Sequence, residues 1–385
     1  MVKNILEREP KLNYEDITIV PEETTSIKSR SECNPYDKDG FLPIFASCMS
    51  SVTSKENISD FNDAHIRAVL PRSYSVEERI EFLLHNDANF TAFSLQESRD
   101  IFADGDILYN IYKEREYVRH LRVCIDLANG HMQCLLDLVR EIKARWGDKI
   151  VIMTGNIANP ETYRAYEEAG VDIARLSVGT GSVCSTSANV AIHYPVFSLL
   201  SETYAIKKAI NGKCKIVADG GIKGFRDIQK ALLYADYVMI GSLFNKAIES
   251  AGKTTYGKSY WNLRGYKILK PITTLFTYGR EIPRHKFPKA FKQFKEGKLT
   301  IWKELFGQST KTAQAIVAKA NAQVIKRLKT SEGLFKYQRV EYNLKGWSEN
   351  ETDFLRSAMS YTNSKNLEEY KDSKWVWITQ RAYNN

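Results

Sequence analysis

No stretch of this sequence approaches the roughly 18 consecutive apolar residues that a bilayer-spanning helix needs, so no membrane association is expected. The first residues, Met1-Val2-Lys3-Asn4-Ile5-Leu6-Glu7-Arg8-Glu9-Pro10, lack the apolar core of a secretory signal. A cytoplasmic location with reduced cysteines is the expectation. The six cysteines (Cys33, Cys48, Cys124, Cys134, Cys184 and Cys214) form neither a CxxC pair nor a Cys/His cluster, which argues against a disulfide framework and against structural zinc. Internal repeats and low-complexity segments are also missing. A formal net charge of +9 attracts phosphate-bearing ligands in general, whether nucleotide, nucleic acid or anionic lipid, and selects none of them.

What is present is the composition of a globular protein, with 43% hydrophobic and 26% charged residues. Short apolar runs recur at Leu42–Ala46, Ile66–Leu70, Phe90–Ser94, Val123–Leu127, Val151–Thr154, Ile173–Ser177, Ile216–Asp219 and Val238–Ile240. Amphipathic stretches such as Cys134–Arg145 and Pro160–Ala169 lie between them. Alternation of this kind is that of parallel strands joined by helical crossovers. Eight such units ending near Ala247 predict an α/β fold of the TIM (β/α)8 type, about 250 residues in its usual form, with the remaining length inserted. Three parts are expected: residues 1–252 as barrel core with an N-terminal segment, 253–345 as a basic insertion and active-site flap after strand eight, and 346–385 as a C-terminal segment completing the barrel. Within the second part, Tyr256–Lys303 reads as aromatic and basic and Thr310–Thr330 as a long helix. From Glu351 onward the chain reads as helical and then polar, closing the barrel's bottom or reaching a neighbouring subunit.

Barrel chemistry collects in loops at the carboxyl ends of the strands. The sixth run is followed by Gly179-Thr180-Gly181-Ser182-Val183-Cys184-Ser185-Thr186, in which the glycines permit a tight bend with inward amides and Ser182 adds a hydroxyl, a phosphate cradle. A lone cysteine defaults to a small buried hydrophobe, the reading given to Cys48, Cys124 and Cys214. Cys184 stands apart because it sits on this loop. Amide dipoles lower a thiol pKa and a bound phosphate raises it, and the sequence leaves that balance open. Asp219-Gly220-Gly221 leaves the seventh run toward a helix near Phe225, and Gly241-Ser242 follows the eighth, the pairing expected of a barrel phosphate site. Asp219 can cap the helix or accept from a ribose diol, and the paired glycines favour the ligand.

The segments GTGSVCST, ADGGIKG and IGSLF, in this order, resemble the IMP dehydrogenase and GMP reductase family. Lys11–Pro21, Ser26–Arg30, Leu42–Val52, Asp126–Gly130 and Ser331-Glu332-Gly333 are similar to further family segments. The chain has no insertion after the second strand and no Arg-Tyr pair in the flap, which places the resemblance nearer the reductase branch. The resemblance implies that Cys184 attacks C2 of GMP, releases ammonia and leaves a thioimidate that accepts hydride, giving IMP. NADPH is the expected cofactor, with NADH as the alternative. Thr186 and Glu332 become the proton relay, although Glu332 also reads as an ordinary solvated carboxylate. Ser182, Gly220, Gly221, Gly241 and Ser242 are expected to hold the phosphate, Asp219 the ribose, and Gly307, Gln308, Ser309 and Lys329 the base. The nicotinamide is expected near Arg72, Asp126, Asn129 and Gly130, and a monovalent cation, K+, at Gly179, Gly181 and Cys184. A homotetramer is implied as well.

Several positions depart from the family pattern: Thr180 replaces a Pro, Ser50 an Asp, Ser187 an Arg, Gln308 a Met and Lys329 an Arg. An ammonium and a guanidinium read a purine edge differently, so a modified or deoxy purine nucleotide, IMP dehydrogenase-like activity, and a barrel that binds nucleotide without turnover stay open. Finally, Gly279–Lys298 sets Phe287, Phe291 and Phe294 at helical spacing among Arg280, Arg284, Lys286, Lys289, Lys292, Lys295 and Lys298. Such a face packs its rings on the protein more often than it binds a subunit, and more often still than it binds nucleic acid, which is not expected as a partner.

Overall fold

The computed structural model describes residues 10–114, 120–183, 186–261, 267–271, 300–321 and 333–379. Cys184, Lys329, Glu332 and the basic stretch 279–298 lie outside the described residues. A short strand β1 (Ile17–Ile19) precedes the barrel. Each of the eight apolar runs then becomes a parallel strand: β2 (Ile44–Ala46), β3 (Arg67–Leu70), β4 (Phe90–Phe93), β5 (Leu121–Asp126), β6 (Ile150–Ile157), β7 (Ile173–Leu176), β8 (Lys215–Asp219) and β9 (Tyr237–Ile240). They close in sequence order, β9 pairing with β2 through Ile44 and Val238.

Side chains alternate across each strand, one set filling the barrel and the other facing the helices. Phe45, Val69, Phe90, Ala92, Cys124, Met153, Ile173, Val217 and Met239 form one buried cluster inside. The intervening residues, among them Ala46, Ala68, Val123, Ile125, Ala174, Ile216 and Val238, belong to the larger core beneath the helices. The same parity dictates where charge goes. Along β5 it turns Arg122, Cys124 and Asp126 inward at floor, middle and mouth, and along β7 it turns Arg175 inward above Ile173.

Helix-forming segments are fixed by their apolar spacing and ends. In Gln133–Trp146, Leu135, Leu138, Val139, Ile142 and Trp146 recur at three or four residues and are all buried. Ser75 and Glu78 form a capping box on Val76–His85. The eighth barrel helix departs from the expected spacing. Strand β9 is followed only by a 3₁₀ turn at Phe244–Lys246, and the helix between the first and seventh crossovers is Leu344–Tyr361, whose Trp347 packs edge-on to Phe244 and also meets Phe225.

The stretch 253–345, expected as insertion and flap, contains an antiparallel sheet of β10 (Thr254–Trp261), β11 (Lys267–Pro271), β12 (Thr300–Phe306) and β13 (Phe335–Arg339), in the order β11-β10-β12-β13. Of the helix expected over Thr310–Thr330, Lys311–Ala320 is described, with Thr310 as its N-cap. At the carboxyl end β14 (Trp375–Trp377) pairs antiparallel with β1. Trp375 pairs with Ile19, packs edge-on to Phe197 and donates to Tyr234 Oη at 2.7 Å, so its described contacts are within this chain. No described helix is long and apolar enough to cross a membrane.

Candidate active site at the barrel mouth

A cleft of about 280 Å³ opens at the carboxyl ends of β7, β8 and β9, and its walls include Ser182, Asp219, Gly220, Gly221, Gly241 and Ser242. The structure therefore gathers the expected phosphate and ribose residues into one place. Lys223 and Lys246 line it too, adding positive charge. Gly220 and Gly221 have φ of 95° and 77°, a left-handed path that side chains resist. A Cβ on Gly220 would also lie 2.9 Å from Thr180 Oγ1. Thr180, standing where the family pattern has Pro, exchanges a hydrogen bond with the Ser177 hydroxyl. The short helix Phe225–Ala231 already has an internal anion at its start, because Asp227 Oδ2 accepts from the Lys223 amide at 2.8 Å. The Lys223 amide at the start of that helix is thus already taken within the chain.

Beside the cleft an ion-pair ladder crosses the mouth. Arg175 donates to Asp126 Oδ1 at 2.9 Å and, through Nε and Nη2, to Asp219 Oδ2 at 3.0 and 2.8 Å. Asn156 Nδ2 reaches the same Asp219 oxygen at 2.7 Å, and the described bonds to Asp219 all fall on Oδ2. Its other oxygen has no described partner, and the residue lines the cleft. Burial presses the Asp126 pKa upward, but Arg175, and then Arg72, overcome it and hold the carboxyl below its ordinary range. Arg72 Nε lies 3.4 Å from Asp126 Oδ2 and is buried with no hydrogen-bond partner. Cys48 Sγ donates to Asp126 Oδ1 at 3.5 Å, and Arg175 reaches Cys124 Sγ at 3.4 Å. Hydrogen bonding with Cys124, then burial and Asp126, push the Cys48 thiol well up, so it stays protonated. Cys48, Cys124 and Cys214 are buried as expected; the first two, however, are part of this polar ladder and not plain packing.

The flap sheet docks on the cysteine loop through main-chain bonds. Leu334 N donates to Val183 O at 2.8 Å, Gly307 N donates to Leu334 O at 3.3 Å, and Lys336 Nζ reaches Ser182 O at 3.4 Å. The approach is close enough to require glycine at 307, where a Cβ would lie 2.8 Å from Val183 O. Gln308 donates its amide to Cys48 O, linking the flap to the top of β2. Ser309 accepts on its carbonyl from Gln314. Burial pulls the Lys303 ammonium down to about 8 where its Nζ donates to Ser250 O beneath the sheet.

Thr186 opens a short helix, Thr186–Val190, directly after the cysteine loop. Ser187 Oγ donates to Gly179 O at 2.9 Å, so the protein itself satisfies one of the carbonyls expected to face K+. Of the residues expected near the nicotinamide, Arg72 and Asp126 join the ladder. Asn129 is exposed and accepts from the His131 amide. Gly130 is fully committed, its N–H to Asn156 O and its carbonyl to the Tyr166 hydroxyl, both at 2.9 Å.

Arg175, Asn156, Lys223 and Lys246 were not singled out by sequence reasoning. For Arg175 a signal existed, a charged residue two positions after Ile173 in a barrel strand, where parity turns it inward. Asn156 follows a cis Gly155-Asn156 peptide that local sequence does not announce.

A closed eight-stranded parallel barrel with a glycine-lined, cation-flanked cleft at its carboxyl end and a sheet folded over a cysteine loop defines a nucleotide-handling (β/α)8 protein. Residues 116–297 match the model of the IMP dehydrogenase / GMP reductase domain. Over these residues the chain is similar to that family. It is 25% identical over 98% of its length to a protein named GMP reductase from Onchocerca volvulus, covering 93% of that protein. Proteins of the same name from Staphylococcus epidermidis and Vibrio vulnificus are 29% and 28% identical, over 83% and 68% of this chain and 94% and 76% of theirs.

Proposed function

We propose that this protein is a GMP reductase: GMP, NADPH and two protons give IMP, NADP+ and an ammonium ion. The observation that carries the proposal is the Val183 O to Leu334 N hydrogen bond over the cleft. Cys184 follows Val183, and Glu332 lies two residues before Leu334. Successive Cα atoms are about 3.8 Å apart, so these short separations along the sequence support a reading in which nucleophile and acid work close to this one bond.

In the proposed reaction the nucleotide's phosphate is bound by Ser182, Gly220, Gly221, Gly241 and Ser242, and its ribose by the Asp219 oxygen that has no described partner. Gly307, Gln308, Ser309 and Lys329 face the base. The Cys184 thiolate forms a bond to purine C2, the C2–N2 bond breaks, and Glu332 with Thr186 delivers the proton that lets the amine leave as ammonia. Arg72 and Asp126 would hold the nicotinamide, which would supply the hydride that C2 needs for the C2–S bond to break and Cys184 to return to its starting state. The orphaned Arg72 Nε beside Asp126 is the observation that fits a bound cofactor there, since a buried donor without a partner is costly. The role of Arg175 is to keep Asp126 ionised and to bridge it to Asp219. No step runs through K+, because the Ser187 hydroxyl already serves Gly179 O. Family likeness is the support for extending the reading to a cytoplasmic homotetramer.

Absorbance at 340 nm tests the proposal. GMP added to enzyme and NADPH should cause a loss of absorbance with IMP formed in step, and IMP with NAD+ should give no comparable gain. A gain with IMP alone would assign dehydrogenase activity instead, and silence with both would overturn the assignment.

A further inference from the structure

The amino-terminal end of the barrel, opposite the cleft, holds a second basin of about 630 Å³ with Arg67, Arg122, Lys215 and Tyr237 on its inner wall. Strand parity puts them there. Arg67 is neutralised by Asp37 and Asp39, and Lys143 by Asp172 at 2.6 Å. Glu167 is taken up by the amides of Lys213 and Cys214 at 2.8 and 2.7 Å.

Four cations have no carboxylate among the described residues. Arg122 donates Nε to the Asp87 carbonyl at 2.5 Å and has no described partner at its terminal nitrogens. Lys215 Nζ reaches only the neutral Tyr237 hydroxyl, at 3.0 Å. Lys38 and Lys213 have no described side-chain partner. Against them stand two lining carboxylates with no cationic partner among the described residues, Asp148 and the amide-bound Glu167. Burial, and then the neighbouring Arg67, push the Arg122 pKa below its ordinary value. Half-buried positive charge beside a second guanidinium is unfavourable unless an anion joins it.

We propose that this basin is a binding site for a small anion with two or more adjacent phosphate groups, such as a diphosphate or triphosphate, separate from the nucleotide cleft. Guanidinium and ammonium donors are the groups that recognise phosphate oxygens. Arg122 on β5 and Lys215 on β8 are three strand steps of roughly 4.8 Å apart around the barrel, farther than one tetrahedral phosphate bridges. The volume also lies within the range of about 300–1,000 Å³ usual for small-molecule sites.

The test is calorimetric titration of the full chain with inorganic tripolyphosphate. Binding is expected to weaken at least tenfold in Arg122→Gln/Lys215→Gln and several-fold in Lys38→Gln/Lys213→Gln, whose exposed lysines make no described contact and whose loss leaves the fold intact. Ser242→Asp, which puts a negative charge in the cleft at the other end, should leave it unchanged. Absence of binding, equal binding by both lysine and arginine variants, or loss of binding in Ser242→Asp would overturn the proposal. The last outcome would assign the anion to the nucleotide cleft.

Discussion

Replacing Arg175 with Met keeps its volume close and removes the charge that joins Asp126 to Asp219. Asp126 is only 8% exposed and would retain Arg72 at 3.4 Å and the Cys48 thiol at 3.5 Å. Asp219 keeps Asn156 and borders the open cleft, so most of the cost falls on Asp126. Removing one partner of a buried pair typically costs about 3–5 kcal/mol, and the surviving contacts put the expectation for Arg175→Met near the lower figure at pH 7. The dependence on pH separates this cause from simple loss of packing. In the wild type the Asp126 pKa is depressed, so its stabilising contribution is present above the unfolded value of about 3.9 and is lost only as pH falls through the folded value. In the variant, burial acts with little opposition and raises the pKa, so protonation relieves the penalty as pH falls. Denaturant midpoints measured from pH 8 to pH 5 should show a gap between the two proteins that narrows toward pH 5. Adding Asp126→Asn to the variant should recover much of the loss. A gap under about 1 kcal/mol, or one that stays constant over this range, would refute the electrostatic reading.

Lys303→Met is expected to stabilise the fold at pH 7. The folded ammonium titrates at about 8 against about 10.4 unfolded, so the folded state carries a penalty below pH 8 that fades as pH rises to 10; the variant's advantage, about 1–3 kcal/mol at pH 7 by linkage, should vanish near pH 10 in denaturation midpoints. Gly307→Ala should lower turnover more than tenfold with little change in thermal midpoint, because its Cβ meets Val183 O at 2.8 Å and lifts the flap from the cysteine loop. Parallel loss of stability and activity would assign Gly307 to folding alone.

The barrel was legible because each strand is a short apolar run between amphipathic helices, a periodic signal that needs no tertiary knowledge. All eight runs lie on barrel strands, and the glycines of 220–221 and 241 mark the cleft they line. The eighth helix was not placed, since nothing local says that Leu344–Tyr361 returns after a long insertion to pack Trp347 on Phe244. The flap sheet escaped for a related reason. β10, β12 and β13 are mixed polar and aromatic strands whose register comes from one another, as in the Trp302 to Arg339 pairing, and such pairing is non-local. Arg175 carried a signal, a charge two positions after Ile173 in an expected barrel strand, but its partners Asp126 and Asp219 come from other strands and only the closed barrel brings them together. Cys48 and Cys124 look like core thiols in sequence and become part of the ladder only when β2, β5 and β7 are brought together.

The account rests on Cys184 as the nucleophile that releases ammonia from the purine. Ammonia release from GMP in the presence of NADPH, compared between the wild type and Cys184→Ala with NADPH oxidation followed in the same samples, tests this most directly. One ammonia per NADPH from the wild type and none above background from the variant is the predicted result, and full ammonia release by Cys184→Ala would contradict it.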